Sequence, residues 1–163
     1  MARRRQFNLV DRWSVPLGHE EVFDLLARPR HYGEWWEGGA MRCLEADPGE
    51  PDVGKRATLA VKGFLPYTLT MVTESVVVER PSRLVAHSSG DLVGVGEWTI
   101  APGGAGTVAV LEWDVAVAGR FERLFRGALR RMLEANHRWT MDRGREGIVR
   151  NGPAVLARLR ATT

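Results

Sequence analysis

"YTLTMVTESVVVERPSRLVAHSSGDLVGVGEWTIA", residues 67–101, carries its apolar residues at a period near two and is interrupted only by "RP" and "GD". β-Branched side chains fill it, and both interruptions hold Gly or Pro, which suit tight turns. Three strands are predicted here: 67–79, 82–89 and 92–101. Connections this short join antiparallel neighbours, because parallel strands need a crossover of a dozen residues or more.

The same pattern extends outward in both directions. Upstream lie "MRCLEA" (41–46) and "KRATLAVK" (55–62), bounded by the turn-rich "DPGEPDVG" and "GFLP". Downstream, "PGGA" leads into "GTVAVLEWDVAV" (106–117). Leu59 and Val61 alternate with Thr58 and Lys62, and Leu111, Trp113 and Val115 alternate with Glu112 and Asp114. Such alternation gives a sheet with one dry and one wet face. "RQFNLVDRWSV" (5–15) supplies a seventh strand. Between it and residue 41, Pro16 and Gly18 open "HEEVFDLLAR", with Glu20 and Glu21 in the first turn, where the helix dipole favours carboxylates. Pro29 ends that helix. Tyr32, Trp35 and Trp36 then fall at i, i+3 and i+4, which predicts a second short helix closed by Gly38 and Gly39.

A final helix is predicted from Arg120 to Arg150, roughly 45 Å long at 1.5 Å per residue. At 100° per residue, Phe121, Phe125, Ala128, Met132, Asn136, Trp139 and Arg143 form one stripe, opposite Arg123, Arg126, Arg130, Glu134 and Arg138. Gly127, Gly144 and Gly147 are expected to weaken the helix, and Gly152 and Pro153 to interrupt it before the tail "AVLARLR". The expected class is therefore α+β. A curved seven-stranded antiparallel sheet wraps a long C-terminal helix, with two short helices after the first strand. The space between sheet and helix is a cavity wherever the lining side chains fail to fill it.

The 163 residues suit a single domain spanning 1–163. No apolar run approaches the ~20 residues that cross a bilayer, and no secretory leader is legible, so a cytoplasmic location is expected. One cysteine, Cys43, excludes an internal disulfide and a thiolate-rich metal site. Charge is unevenly spread. Residues 1–118 hold 12 basic and 16 acidic side chains, net −4, whereas residues 119–163 hold 11 arginines and 4 acids, net +7. A basic helix serves nucleic acid, a membrane or an acidic protein partner, or is simply a solvated face.

Asn136 and Arg143 stand out on the predicted dry stripe, because a buried amide or charge is costly unless paired. Either they meet a ligand's carbonyl or carboxylate, or Asn136 bonds a strand end and Arg143 reaches solvent. Trp35, Trp98, Trp113 and Trp139 are candidate walls of a pocket, with Phe125 and Met132 beside them and Tyr67 at its mouth; core packing is the alternative for each. Trp13 and Trp36 are expected to be structural. His19, His31, His87 and His137 show no metal-ligand spacing. His137 falls on the polar side of its helix, and the face that His87 takes is ambiguous by one residue. Glu97 and Asp114 should point away from Trp98 and Trp113. "GVGEWT" and "GGAGT" open no helix after a parallel strand, so no nucleotide site is predicted. Neither a cofactor nor a metal is predicted, catalytic residues stay unassigned, and no nucleic-acid motif accompanies the basic helix.

The run of residues 65–100, the strand "GAGTVAVLEWDV", the closing "NHRWTMDRGREG" and the opening "WSVPLGHEEVFDLLARPRHYGEWW" together resemble the polyketide cyclase/dehydrase branch of the START-like (SRPBCC, helix-grip) superfamily. The resemblance spans about residues 8 to 150. It implies a sheet gripping the last helix around an elongated apolar pocket for a lipid, polyketide or other apolar metabolite. It also carries an enzymatic alternative: an aromatase/cyclase acting on a poly-β-ketone tethered to an acidic acyl carrier protein. The Arg126/Arg130 face would be the docking surface for that carrier.

Overall fold

The computed structural model describes residues 6–64, 66–123 and 129–163. Seven strands follow in chain order: β1 (Gln6–Val15), β2 (Met41–Ala46), β3 (Arg56–Val61), β4 (Leu69–Glu79), β5 (Arg83–Gly90), β6 (Leu92–Gly103) and β7 (Gly106–Val117). All pair antiparallel in the spatial order β1-β7-β6-β5-β4-β3-β2, so the meander runs unbroken and the first strand closes beside the last. Helices α1 (His19–Leu26) and α2 (Tyr32–Trp35) lie between β1 and β2, and α3 (Leu129–Ala161) ends the chain. This is the α+β helix-grip arrangement the sequence predicts. No helix among the described residues is long and apolar enough to cross a membrane.

One irregularity explains the ambiguous alternation near His87. In β4, Ser75 pairs with Ala86 but Val77 pairs with Val85, which leaves Val76 as an extra residue. Such a bulge shifts the side-chain phase along the strand. His87 sits opposite Glu74 and Val95 and is exposed on the outer face, so it plays no part in the sheet's interior. Ser88, its neighbour, faces inward.

Helix α3 departs from expectation in length and in phase. It runs 33 residues and continues through Pro153. The missing hydrogen bond and ring clash of an internal proline cost about 3 kcal/mol. Beyond it, Val155 and Leu156 are buried, and two such side chains recover roughly 1.5–3 kcal/mol each. The phase differs because Phe121 belongs to a separate 3-10 turn, Gly119–Phe121, followed by a turn at 122–123. Extrapolating 100° per residue from Phe121 therefore rotates the stripe away from its true position. The buried face runs through Leu133, Asn136, Thr140, Met141, Gly144, Ile148, Gly152 and Val155. Met132 is correspondingly exposed.

The helical glycines are points of close approach. A Cβ on Gly147 would overlap the Trp35 carbonyl oxygen, and one on Gly144 would press on the indoles of Trp36 and Trp13. The Trp36 indole donates to the Thr140 carbonyl at 2.8 Å, and Asn151 Nδ2 donates to the Trp35 carbonyl at 3.3 Å. The uneven charge is partly resolved here as well. Arg150 pairs with Glu37 at 2.8 Å, Arg158 with Glu34 and Arg160 with Glu21 at 3.9 Å, so C-terminal arginines meet acids of the α1–α2 region.

Candidate functional site

Between the inner face of the sheet and the first half of α3 lies a cavity of about 180 Å³. Its walls are mainly apolar: Leu59 and Met71 from the middle strands, Trp98 and Leu111 from β6 and β7, and Leu133 and Met141 from α3. Alternation aims these side chains inward. In register, Trp98 faces Leu111 and Leu9 faces Trp113, both pairs lining the hollow. Glu97 and Asp114 consequently point outward, Glu97 onto Arg83 at 2.7 Å. Trp98 also packs against the buried Trp13, ring centroids 4.9 Å apart.

Of the nine candidates from sequence, Trp98, Trp113 and Asn136 line this cavity. The Asn136 side chain does structural work too. Its Oδ1 accepts the Phe64 backbone N–H at 2.9 Å and lies so close to Gly63, in a left-handed conformation at φ 59°, that a Cβ there would overlap it. Trp35 is fully buried in the core beside Tyr32 and Trp36, and its neighbour Trp36 takes the cavity wall. Trp139 and Arg143 lie on the flank of α3, where Trp139 meets Phe64 and the Arg143 guanidinium stacks on Trp139 at 5.7 Å and bonds Glu146 at 2.9 Å. Tyr67 is an exposed residue packed on Phe121 rather than a cavity wall. The placements of Trp139 and Arg143 follow from the rotated stripe. Phe125 lies outside the described residues, as does Arg126. Arg130 pairs with Glu134 at 3.2 Å and sits over the Phe7 ring at 5.0 Å.

Sequence reasoning missed the polar equipment of the cavity. His137 lines it, with Nε2 2.5 Å from Asp11 Oδ2 on β1 and its ring 5.6 Å from that of Trp113. The Thr140 hydroxyl, one helical turn on, and the Ser88 hydroxyl of β5 are both buried, both belong to cavity-lining residues and, among the described residues, both lack a hydrogen-bond partner. A helical threonine normally returns its hydroxyl to the carbonyl four residues back, so Thr140 is not satisfying itself locally. By contrast the Tyr32 phenol is committed: it donates to the Leu26 carbonyl at 2.5 Å, and burial pushes its pKa upward. The signal for His137 and Thr140 was present. Phased on the small and apolar residues Leu133, Met141, Gly144 and Ile148, the stripe includes both.

The arrangement can bury an apolar molecule, offer it two hydroxyls and an amide, and set an imidazole anchored by a carboxylate against it. Comparison with known proteins agrees with the architecture. The profile of a family described as polyketide cyclase/dehydrase and lipid transport matches residues 7–149. No sequence among the curated proteins matches the chain. Among solved structures, the Zhui aromatase/cyclase from Streptomyces sp. R1128 superposes with a TM-score of 0.65 at 15% identity, covering 93% of this chain and 94% of that one. The protein TTHA0849 from Thermus thermophilus gives 0.63 at 16% identity, covering 88% and 97%. The di-domain ARO/CYC BexL of the BE-7585A biosynthetic pathway gives 0.61 at 19% identity, covering 87% of this chain and 50% of that one. At these identities the likeness is one of fold.

Proposed function

The chain belongs to the polyketide cyclase/dehydrase and lipid transport family, and from that premise we propose that it binds a small hydrophobic ligand in the cavity between sheet and α3. The observation that carries this reading is the pair of unpartnered hydroxyls, Ser88 and Thr140, set in an otherwise apolar wall. An unsatisfied buried hydroxyl costs about 1–3 kcal/mol, which a ligand oxygen would relieve. Apolar burial supplies most of the affinity, at ~25 cal/mol per Å² before the entropy costs of association. An engineered cavity of about 150 Å³ accommodates benzene, so this one suits a molecule of roughly ten non-hydrogen atoms, or the buried part of a longer one.

The test is gentle mass spectrometry of the protein as purified, then titration with 2-naphthol while following tryptophan emission. A bound apolar molecule, or saturable quenching through Trp98 and Trp113, is expected. A chain that is empty and unresponsive to 2-naphthol, with emission unchanged when Trp98 is replaced by phenylalanine, contradicts a ligand cavity.

The pairing of His137 with Asp11 favours a second reading, aromatase/cyclase chemistry on a carrier-tethered poly-β-ketone. The carboxylate fixes the imidazole's orientation, and the second ring nitrogen is left to move protons at a substrate carbon or oxygen. The hydroxyls of Ser88 and Thr140 would steady a developing enolate. The described aromatase/cyclase relatives support this at the level of fold. Turnover of a tethered poly-β-ketone by the native chain but not by His137→Ala supports it; equal product patterns from both chains remove it.

A further inference from the structure

Ala27, Pro29, Pro51, Thr73 and Ser75 line the apolar cavity and also line a second hollow of about 280 Å³ outside it. The two spaces therefore share a wall, and the outer one lies where the chain leaves α1 and faces the loop joining β2 to β3. Its chemistry is opposite to that of the cavity. Arg28, Arg30, Lys55 and Arg56 contribute four positive charges against the two negative charges of Asp47 and Glu50.

Two of these cations are already neutralised. Arg28 reaches Asp24 at 2.8 Å and Glu50 at 2.6 Å, and Arg56 reaches Glu74 at 3.1 Å. The other two are held differently. Arg30 Nη2 donates to the carbonyls of Ala46 and Asp47, each at 3.4 Å, and Lys55 Nζ donates to the Pro48 carbonyl at 2.6 Å. Among the described residues no ion pair joins either cation to a carboxylate. The Asp47 carboxylate accepts the backbone N–H of Arg56 at 2.9 Å. Three successive carbonyls thus fix two positive charges at the rim of the apolar space. A carbonyl dipole orients a cation without cancelling its charge, so the pair remains able to take an anion.

We propose that this rim is a head-group site and that the ligand is an amphiphile, with its apolar body in the cavity and a carboxylate or phosphate at Arg30 and Lys55. The proposal rests on reading the cavity as a binding site. It predicts a ligand longer than the cavity alone would hold, entering between Pro29 and Pro51 with its charged end last. The adjacent low-dielectric wall strengthens the attraction relative to two cations in open water.

The test is titration of the full chain with 1-decanol, decanoate and decyl phosphate, followed by tryptophan emission. Native protein, the double variant Arg30→Gln/Lys55→Gln and the control Arg150→Gln, a paired arginine outside the lining of this hollow, are compared. Native protein and the control are expected to bind at least one of the two anions about tenfold more tightly than 1-decanol. The double variant should lose that advantage and keep its affinity for the alcohol, which also shows that it is folded. Preference for decyl phosphate over decanoate identifies a phosphate monoester as the head group, and the reverse identifies a carboxylate. Anions that bind no better than 1-decanol, or an advantage that survives in the double variant, overturn the proposal. If none of the three probes binds, the cavity reading itself falls and the rim falls with it.

Discussion

The two halves of α3 share one helix and face different worlds. From Leu133 to Met141 the inner side carries an amide, an imidazole and a hydroxyl, looks into the cavity and leaves the Thr140 hydroxyl without a partner among the described residues. From Gly144 to Leu156 it is glycine and aliphatic side chains pressed onto α1, α2 and the tryptophans, with ion pairs along the rim. The first half gives up packing to keep space. The second half closes that space and holds the helix in place. A fold can therefore host a hollow without loosening throughout, because rigidity is concentrated at one end of the element that bounds it.

Four substitutions probe that contrast. Gly147→Val should be the most damaging, because its side chain would meet backbone atoms of Trp35 and Glu37 that cannot move aside. A loss of about 3 kcal/mol or more is expected in denaturant unfolding. Wild-type stability would mean that the packed half is no tighter than the open half. Asn136→Ala comes next, at about 1–2 kcal/mol, because it leaves the Phe64 N–H without its protein acceptor. Unchanged unfolding would show that the amide serves only a ligand.

Thr140→Val should sharpen the distinction from the other side. Its hydroxyl has no partner among the described residues, so the free protein is expected to keep or gain stability, by up to about 1–3 kcal/mol, while affinity for an oxygen-bearing apolar probe falls. A large loss of stability with no change in binding would place that hydroxyl in the framework. The smallest effect belongs to the ion pairs. Burial tends to raise the Glu34 pKa, but the hydrogen bonds and charges of His31 and Arg158 outweigh it and hold the carboxyl below its ordinary value. A depressed carboxyl contributes stability above its unfolded pKa, and the contribution disappears as pH falls through the folded one. Glu34→Gln should thus cost a few tenths of a kcal/mol near neutrality, discounted for exposure, and less at pH 3. Equal losses at both pH values would remove the electrostatic origin.

Much of this contrast was hidden in the sequence for identifiable reasons. The strands were legible because Gly and Pro mark every turn and because Leu111, Trp113 and Val115 alternate cleanly with charges. The tryptophan of β7 could be put on the dry face from that alternation alone. Helix phase was not legible, since the aromatic Phe121 sits in a different element and drew the stripe toward Met132 and Arg143. His87 and Ser88 could not be assigned while Val76 was unseen as an extra residue. The glycines were the neglected clue: Gly144 and Gly147 occupy the helix in spite of their low helix propensity because a Cβ there would meet Trp36, Trp13 and the Trp35 backbone.

The adjacency of β1 and β7 has a consequence in time. Gln6 pairs with Ala116, so the first strand finds its partner only after about 110 further residues exist. At a synthesis rate of ~5–20 residues per second, Phe7, Leu9 and Trp13 wait on the order of ten seconds with their apolar faces uncovered. The meander from β2 to β7 can assemble by near-neighbour contacts during that interval, whereas closure of the sheet is a single long-range event that comes late and sets the pace. Newly made chains are accordingly most exposed to aggregation before β7 emerges, and a helper that shields the first fifteen residues would raise the yield more than one acting on α3.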